Sequence, residues 1–267
     1  MKKLLLIFLI SFSFSTQAKV KEKNPPSILH MNVTTDTVVL GENLNKVRPL
    51  ASLTKLMTAM VSLDYSTDLN KKVKLKKGIK SSLPMREYTR DELFHALLIR
   101  SDNAAAETLA NDYPGGREQF LRAMNEKAKK IGMLSTSFKD ASGLSSNNVS
   151  SANDVAAMVI AASNYPVIKN TSIKKHAYIE AYYKKRVRTV VLNNTNREIL
   201  FKFDNVMVSK TGYTTPAGFC VGIMVEKKVQ DIPTRHVIVV MGAKNPKERV
   251  DAVKEIMYNE VLNSPVQ

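Results

Sequence analysis

The chain has 267 residues, 44% hydrophobic and 24% charged, enough apolar material for one sizeable globular domain or two small ones. Its 40 Lys and Arg against 24 Asp and Glu give a formal charge of +16, which favours nucleic acid, anionic lipid or an acidic polymer as a partner. The one cysteine, Cys220, excludes an internal disulfide, and four scattered histidines (His30, His95, His176, His236) show no ligand spacing, so no metal or other cofactor is expected.

The chain begins MKKLLLIFLISFSFSTQAKV. Lys2 and Lys3 make a positive n-region, Leu4 to Phe14 form an apolar core too short to span a bilayer comfortably, and Thr16-Gln17-Ala18 offers small residues where a signal peptidase reads. Residues 1–18 are therefore expected to be a signal peptide removed after Ala18, with an uncleaved anchor as the alternative. No other segment reaches transmembrane length, so an exported protein without an integral membrane segment is expected. Cys220 is far from the cleavage point, which argues against a lipoprotein anchor, and it reads as a small apolar side chain on a strand. Export makes nucleic acid a poor partner, and no zinc-finger or RNP-like aromatic motif supports it. A carboxylate-bearing wall polymer fits the charge.

After a short linker, residues 19–26, SILHMNV and DTVVLGENLN read as two strands joined by a turn. RPLASLTKLMTAMVSL (48–63) reads as an apolar helix interrupted by Ser52, Thr54 and Lys55. A basic, strand-poor segment containing KKVKLKK (71–77) leads to TRDELFHALLIRSDNAAAETLANDY, where Thr89 and Glu92 match a capping box and Leu93, Leu97 and Leu98 keep helical spacing. PGGREQFLRAMNEKAKKIG is a further helix running from Pro114 to a stop at Gly132, and SANDVAAMVIAASNYP another, ended by Pro166. From about residue 176 the pattern turns to period two and β-branched residues. RVRTVVLNN, VMVSKTG, GFCVGIMVEKK and RHVIVVMGAK read as strands, and NPKERVDAVKEIMYNEVL as a closing helix with Asn245 as cap and Pro246 first. Strands early and late with helices between imply one α+β domain over residues 27–267, carrying an inserted helical subdomain at about 66–170.

Three short motifs carry chemistry. Ser52 and Lys55, three apart on a helix, share a face, so a lysine amine reaches the serine hydroxyl. Serine is a poor nucleophile until a base takes its proton, and lysine serves once desolvation and positive neighbours lower its pKa. A second such pair, Ser172 and Lys175, lies on a polar stretch and reads as coincidence. Ser101-Asp102-Asn103 falls between two apolar helices, where a polar triplet can face a cleft; the further copies Ser145-Ser146-Asn147 and Ser151-Ala152-Asn153 read as chance recurrences, each either a turn or a helix cap. Lys210-Thr211-Gly212, unique in the chain, closes the strand VMVSK. There the lysine offers positive charge, the threonine a hydrogen bond, and the glycine a strand edge without a Cβ.

Serine-x-x-lysine, serine-x-asparagine and lysine-threonine-glycine in this order resemble the set of β-lactamases and penicillin-binding proteins. The chain is similar, over essentially its whole mature length, to the low-molecular-mass penicillin-binding proteins, the serine D-alanyl-D-alanine peptidases. RPLASLTKLMTAMV, YPGGREQFLRAMNEKAKKIGM, ASGLSSNNVSSANDV and SKTGYTTPAGFC look closest to the endopeptidases of the penicillin-binding protein 7 type. The resemblance implies an α+β, β-lactamase/transpeptidase-like fold: an antiparallel sheet flanked by helices. It implies Ser52 as nucleophile, Lys55 as general base, Ser101 as proton relay and Asn103 as a holder of substrate amide and Lys55. Lys210 and Thr211 would bind the terminal carboxylate, beside Gly212, and the backbone N–H groups of Ser52 and Tyr213 would form the oxyanion hole. Peptidoglycan stem peptides in the periplasm and covalent β-lactam inhibitors are the implied partners.

No glutamate occurs between Glu126 and Glu180, where class A β-lactamases need one for deacylation, and Asp140 and Asp154 are the only carboxylates there. A persistent penicilloyl enzyme, hence a peptidase, is the expectation. Many carboxypeptidase relatives carry an extra C-terminal β-rich domain and an amphipathic membrane helix; the sequence ends in LNSPVQ after its closing helix, which favours the endopeptidase. A carboxypeptidase remains the alternative, and a non-catalytic wall-binding module a third reading that the intact Ser52 and Lys55 disfavour.

Overall fold

The computed structural model describes residues 24–183, 186–229 and 232–262. The expected signal peptide and most of the linker lie outside these residues. Five antiparallel strands form the main sheet: β1 (Ser27–Asn32), β2 (Thr37–Glu42), β3 (Val206–Thr214), β4 (Gly218–Val229) and β5 (Ile232–Ala243), in the order β2-β1-β5-β4-β3. The two N-terminal strands add to the three C-terminal ones through β1 and β5, with Leu29 opposite Val239. Sequence-distant strands thus share one sheet, the expected α+β arrangement, and β3 is left as an edge.

Alternation along the strands sends side chains to two cores. Cys220, Met224, Val237, Val239 and Met241 face the larger one, built with the helices α1 (Thr54–Tyr65), α2 (Arg90–His95), α3 (Asn103–Asn111), α4 (Gly116–Lys130) and α5 (Ala152–Ala162). Val221, Ile223, Val225, Ile238 and Val240 face the smaller one under the closing helix, which begins at Pro246 behind its cap Asn245. Cys220 is buried among apolar side chains, as expected of it. Every residue of α1 from Thr54 to Leu63 is buried, the mark of a helix at the centre of its layer.

Several element boundaries differ from the sequence reading. The stretch 48–63 is not one helix: Arg48–Pro49 pair with Val149–Ser150, a 3₁₀ turn covers Ala51–Leu53, and the α-helix starts only at Thr54. Tertiary packing around Ala51, at φ 47°, overrides helical propensity there. The strand-poor segment holds a short hairpin, Lys72–Lys74 against Glu87–Thr89. The helix expected to run to Pro166 stops earlier, at Ala162 with Ser163 as its cap, and Pro166 instead opens a new one, Pro166–Ser172. The strand His176–Tyr183 pairs with Arg186–Asn193, and Lys210-Thr211-Gly212 lies inside β3, which continues to Thr214. The Thr89–Glu92 capping box is present in both directions.

Candidate active site

Ser52 sits in the 3₁₀ turn at the head of α1, and Lys55 in the first turn of that helix. Lys55 Nζ lies 2.8 Å from Ser52 Oγ, 2.8 Å from Asn103 Oδ1 and 2.5 Å from the Ser142 carbonyl oxygen. Those three acceptors match the three N–H bonds of an ammonium. Once one proton is gone, two N–H bonds keep Asn103 and Ser142, and the lone pair faces Ser52. Lys55 is fully buried, and desolvation lowers its pKa to about 7, against the opposing pull of Asp140, Asp102 and Glu107.

Each of those carboxylates is already committed. Asp140 accepts from the backbone N–H groups of Ser142, Gly143 and Ser145; Asp102 caps α3 at Ala105 and accepts from Ser81 and Ser82; Glu107 accepts from Ala141 N and Arg117. They hold loops and raise the Lys55 pKa at a distance. The buried Asn148 side chain completes the frame, donating to Thr54 Oγ1 and to the carbonyl of Asp140. Gly143, at φ +82°, lies so close beneath the nucleophile turn that a Cβ there would stand 1.9 Å from the Ala51 carbonyl oxygen.

The opposite wall comes from the junction after α2. A π-turn over Ala96–Arg100 ends at Ser101, which takes the left-handed conformation (φ 63°) and turns the chain into α3. Ser101 Oγ accepts from Lys210 Nζ at 2.9 Å, and Lys210 also donates to the Thr211 carbonyl at 2.8 Å. Burial first, then the charges of Lys55 and Arg249, depress the Lys210 pKa well below the ordinary lysine value. Gly212 brings β3 against the nucleophile turn: a Cβ there would lie 2.9 Å from Ser52 N. Tyr213 follows on the same edge, its side chain exposed and stacked on Phe219 at 4.2 Å. All eight residues singled out from sequence, Ser52, Lys55, Ser101, Asn103, Lys210, Thr211, Gly212 and Tyr213, are thus brought to one place, around the head of α1 and the edge of β3. A preformed nucleophile–base pair, a second buried lysine and a bare strand edge equip it for acyl transfer to a serine.

The sequence reading missed two contributors. Thr195, in the turn after Arg186–Asn193, accepts the Thr211 hydroxyl at 2.6 Å and donates its N–H to Ile99. Ser142 lies in the DASGLSSNN loop, whose dense turn chemistry was a visible signal. The duplicate motifs are structural. Ser172 Oγ accepts from Ser209 N, Ser151 caps α5, and Ser145 accepts from Asn147 N within its turn.

The sequence profile of the peptidase S11 family, D-alanyl-D-alanine carboxypeptidase, matches residues 14–245. The chain belongs to this family of D-alanyl-D-alanine peptidases. It is 36% identical to the D-alanyl-D-alanine endopeptidase of Escherichia coli over 214 residues, 77% of this chain and 68% of that one. Among solved structures, it superposes on penicillin-binding protein D2 from Listeria monocytogenes in its cefotaxime-bound form with a TM-score of 0.73 at 27% identity, covering 86% of this chain and 94% of that one. The fold is also that of the Streptomyces K15 DD-transpeptidase, with a TM-score of 0.78 over 86% of this chain and 94% of that one at 23% identity. The family and fold expected from the three motifs are thereby established for this D-alanyl-D-alanine peptidase. Among the described residues, no helix is long and apolar enough to cross a membrane.

Proposed function

We propose that the protein is a periplasmic serine D,D-peptidase that cuts peptidoglycan cross-links between D-Ala and the diamino acid of a neighbouring stem peptide. The observation that carries this reading is the fully buried Lys55 amine, 2.8 Å from Ser52 Oγ, with a pKa brought to about 7. Ser52 Oγ adds to the D-Ala carbonyl carbon as its proton passes to Lys55 Nζ. The backbone N–H groups of Ser52 and Tyr213 stabilise the resulting oxyanion, a contribution of about 10²–10³ in rate per donor. Collapse breaks the C–N bond, and Ser101 relays a proton to the leaving amine. Water then adds to the ester carbonyl as Lys55 takes its proton, and the C–O bond to Ser52 breaks as Lys55 returns that proton to Oγ, releasing the D-Ala carboxyl group. Asn103 holds the substrate amide, while Lys210 and Thr211 receive a carboxylate on the substrate or on a β-lactam, which Gly212 leaves room to approach.

Persistence of the penicilloyl ester follows from the carboxylates around Lys55, each taken by backbone N–H groups or side chains and none left to activate a deacylating water. The same reading includes removal of residues 1–18 on export and one domain over residues 27–267 with its helical subdomain inserted. Endopeptidase is preferred to carboxypeptidase because the Escherichia coli relative bears that name. Fluorescent penicillin should label the wild type and not Ser52→Ala. Cross-linked muropeptide dimers should then yield monomers; release of D-Ala with dimers intact would make the enzyme a carboxypeptidase. Rapid penicillin hydrolysis would overturn the peptidase reading.

A further inference from the structure

The cations of this +16 chain are unevenly neutralised. Many are paired: Lys71 and Arg90 with Asp112, Lys127 with Asp64, Arg117 with Glu107, Lys247 with Asp251 and Lys254 with Glu198. The segment from Lys72 to Met85 differs, carrying Lys72, Lys74, Lys76, Lys77 and Lys80 and no carboxylate. All five lysines are exposed, and none has an ion-pair partner among the described residues. Glu87 stands in register with Lys74 across the short hairpin and is the nearest carboxylate by sequence.

The segment is held at both ends on the helix that carries Asn103. Lys76 N donates to Thr108 Oγ1, near the far end of α3, while Ser81 and Ser82 donate to the Asp102 carboxylate at its cap. Leu75 and Leu83 are buried beneath it. Lys77 and Lys80 therefore lie on a strap that runs along α3 toward the Ser101-Asp102-Asn103 wall of the cleft. Unpaired lysines cost self-repulsion when left together, and they focus an anionic polymer toward whatever site they border.

We propose that this lysine strap is a docking surface for the carboxylates of polymeric peptidoglycan, holding neighbouring stem peptides of the polymer while one cross-link occupies the cleft. The occupant follows from charge complementarity: stem peptides outside the cleft present repeated carboxylates, spaced along a chain that must extend past the cleft rim. This inference rests on the peptidase reading above and adds a second contact to it. It separates two quantities, turnover of a small soluble substrate and capture of the intact polymer.

The test compares the wild type with the triple variant Lys76→Gln/Lys77→Gln/Lys80→Gln, both acylated with penicillin so that the cleft is blocked. Co-sedimentation with purified sacculi should weaken at least about tenfold for the wild type between 50 and 300 mM salt, as a screened electrostatic contact does. The variant should bind at least about tenfold less at low salt, and sacculi with amidated carboxylates should capture neither protein. Ser52 acylation and cleavage of a soluble muropeptide dimer should stay within about twofold of wild type, because no altered side chain touches the reacting atoms. Equal sedimentation of variant and wild type overturns the docking surface while leaving the peptidase reading intact. So does loss of binding to phosphatidylglycerol vesicles with sacculus binding unchanged. Failure of the wild type to acylate or to cut the soluble dimer would instead sink the peptidase reading itself.

Discussion

Lys210 Nζ donates to Ser101 Oγ at 2.9 Å, so one hydrogen bond ties the sheet edge to the loop ahead of α3. Each partner is held independently, Lys210 by its place in β3 and Ser101 by a left-handed backbone at φ 63°. Ser101→Gly is the informative variant. Glycine adopts that conformation without the cost of about 1–2 kcal/mol borne by an L side chain, so the thermal midpoint should hold or rise. Loss of the relay hydroxyl should lower the acylation rate about 10²-fold or more. Stopped-flow acylation by a chromogenic cephalosporin measures the rate; a variant within threefold of wild type removes Ser101 from the mechanism.

The acylation rate should rise with pH on a limb centred near 7. The reactive form of Lys55 is the neutral amine, and burial brings its pKa to about 7. Asp140, Asp102 and Glu107 act in the opposite sense, each favouring the ammonium. Asp140→Asn removes the first of these charges and should move the limb to lower pH. A descending limb should follow as Lys210 loses the proton with which it binds a carboxylate, below the ordinary lysine range because burial and Lys55 depress it. An ascending limb near 10 would mean that Lys55 is solvated during turnover.

Two glycines against the nucleophile turn separate folding from chemistry. At Gly143 the left-handed φ of +82° and a Cβ position 1.9 Å from the Ala51 carbonyl leave no room, so Gly143→Ala should destabilise the fold by several kcal/mol, on the order of the strain and overpacking costs combined. Gly212 has no such backbone demand, and its Cβ would meet the Ser52 amide at 2.9 Å. Gly212→Ala, which forces a shift but adds no backbone strain, should therefore lose less stability than Gly143→Ala yet acylate at least about tenfold more slowly, by prising β3 from the oxyanion site. Chemical denaturation alongside acylation kinetics distinguishes them. Equal loss of stability in both variants would contradict this division.

The parts legible in sequence were those set by local chemistry. Thr89 with Glu92, and Asn245 with Pro246, announce helix starts because each satisfies its own backbone donors within one turn. The pair Ser52 and Lys55 was visible through its spacing, although Ser52 lies on a 3₁₀ turn and not on the helix proper. That turn depends on Ala51 at positive φ, packed over Gly143 from a loop 92 residues later, which no local propensity encodes. Thr195 stayed hidden for a similar reason. Its one chemical role, accepting the Thr211 hydroxyl, exists only after the turn that follows Arg186–Asn193 docks on Ile99.

Away from the cleft, His30 and His236 form a buried pair on β1 and β5, with His30 Nε2 3.0 Å from His236 Nδ1. Burial, then the His236 charge, lowers the His30 pKa to about 4, and burial, then the Lys227 charge, lowers that of His236. A histidine whose folded pKa lies below its unfolded value of about 6.5 takes up its proton more readily in the unfolded chain, so folding stability declines as pH falls from about 6.5 and the loss is complete only below about 4. For His30 alone this amounts to as much as about 3 kcal/mol. Urea midpoints measured at pH 7 and pH 5 should show a clear fall for the wild type and a smaller one for His30→Gln, which cannot titrate. An equal fall in both proteins would assign the acid sensitivity to groups other than this pair.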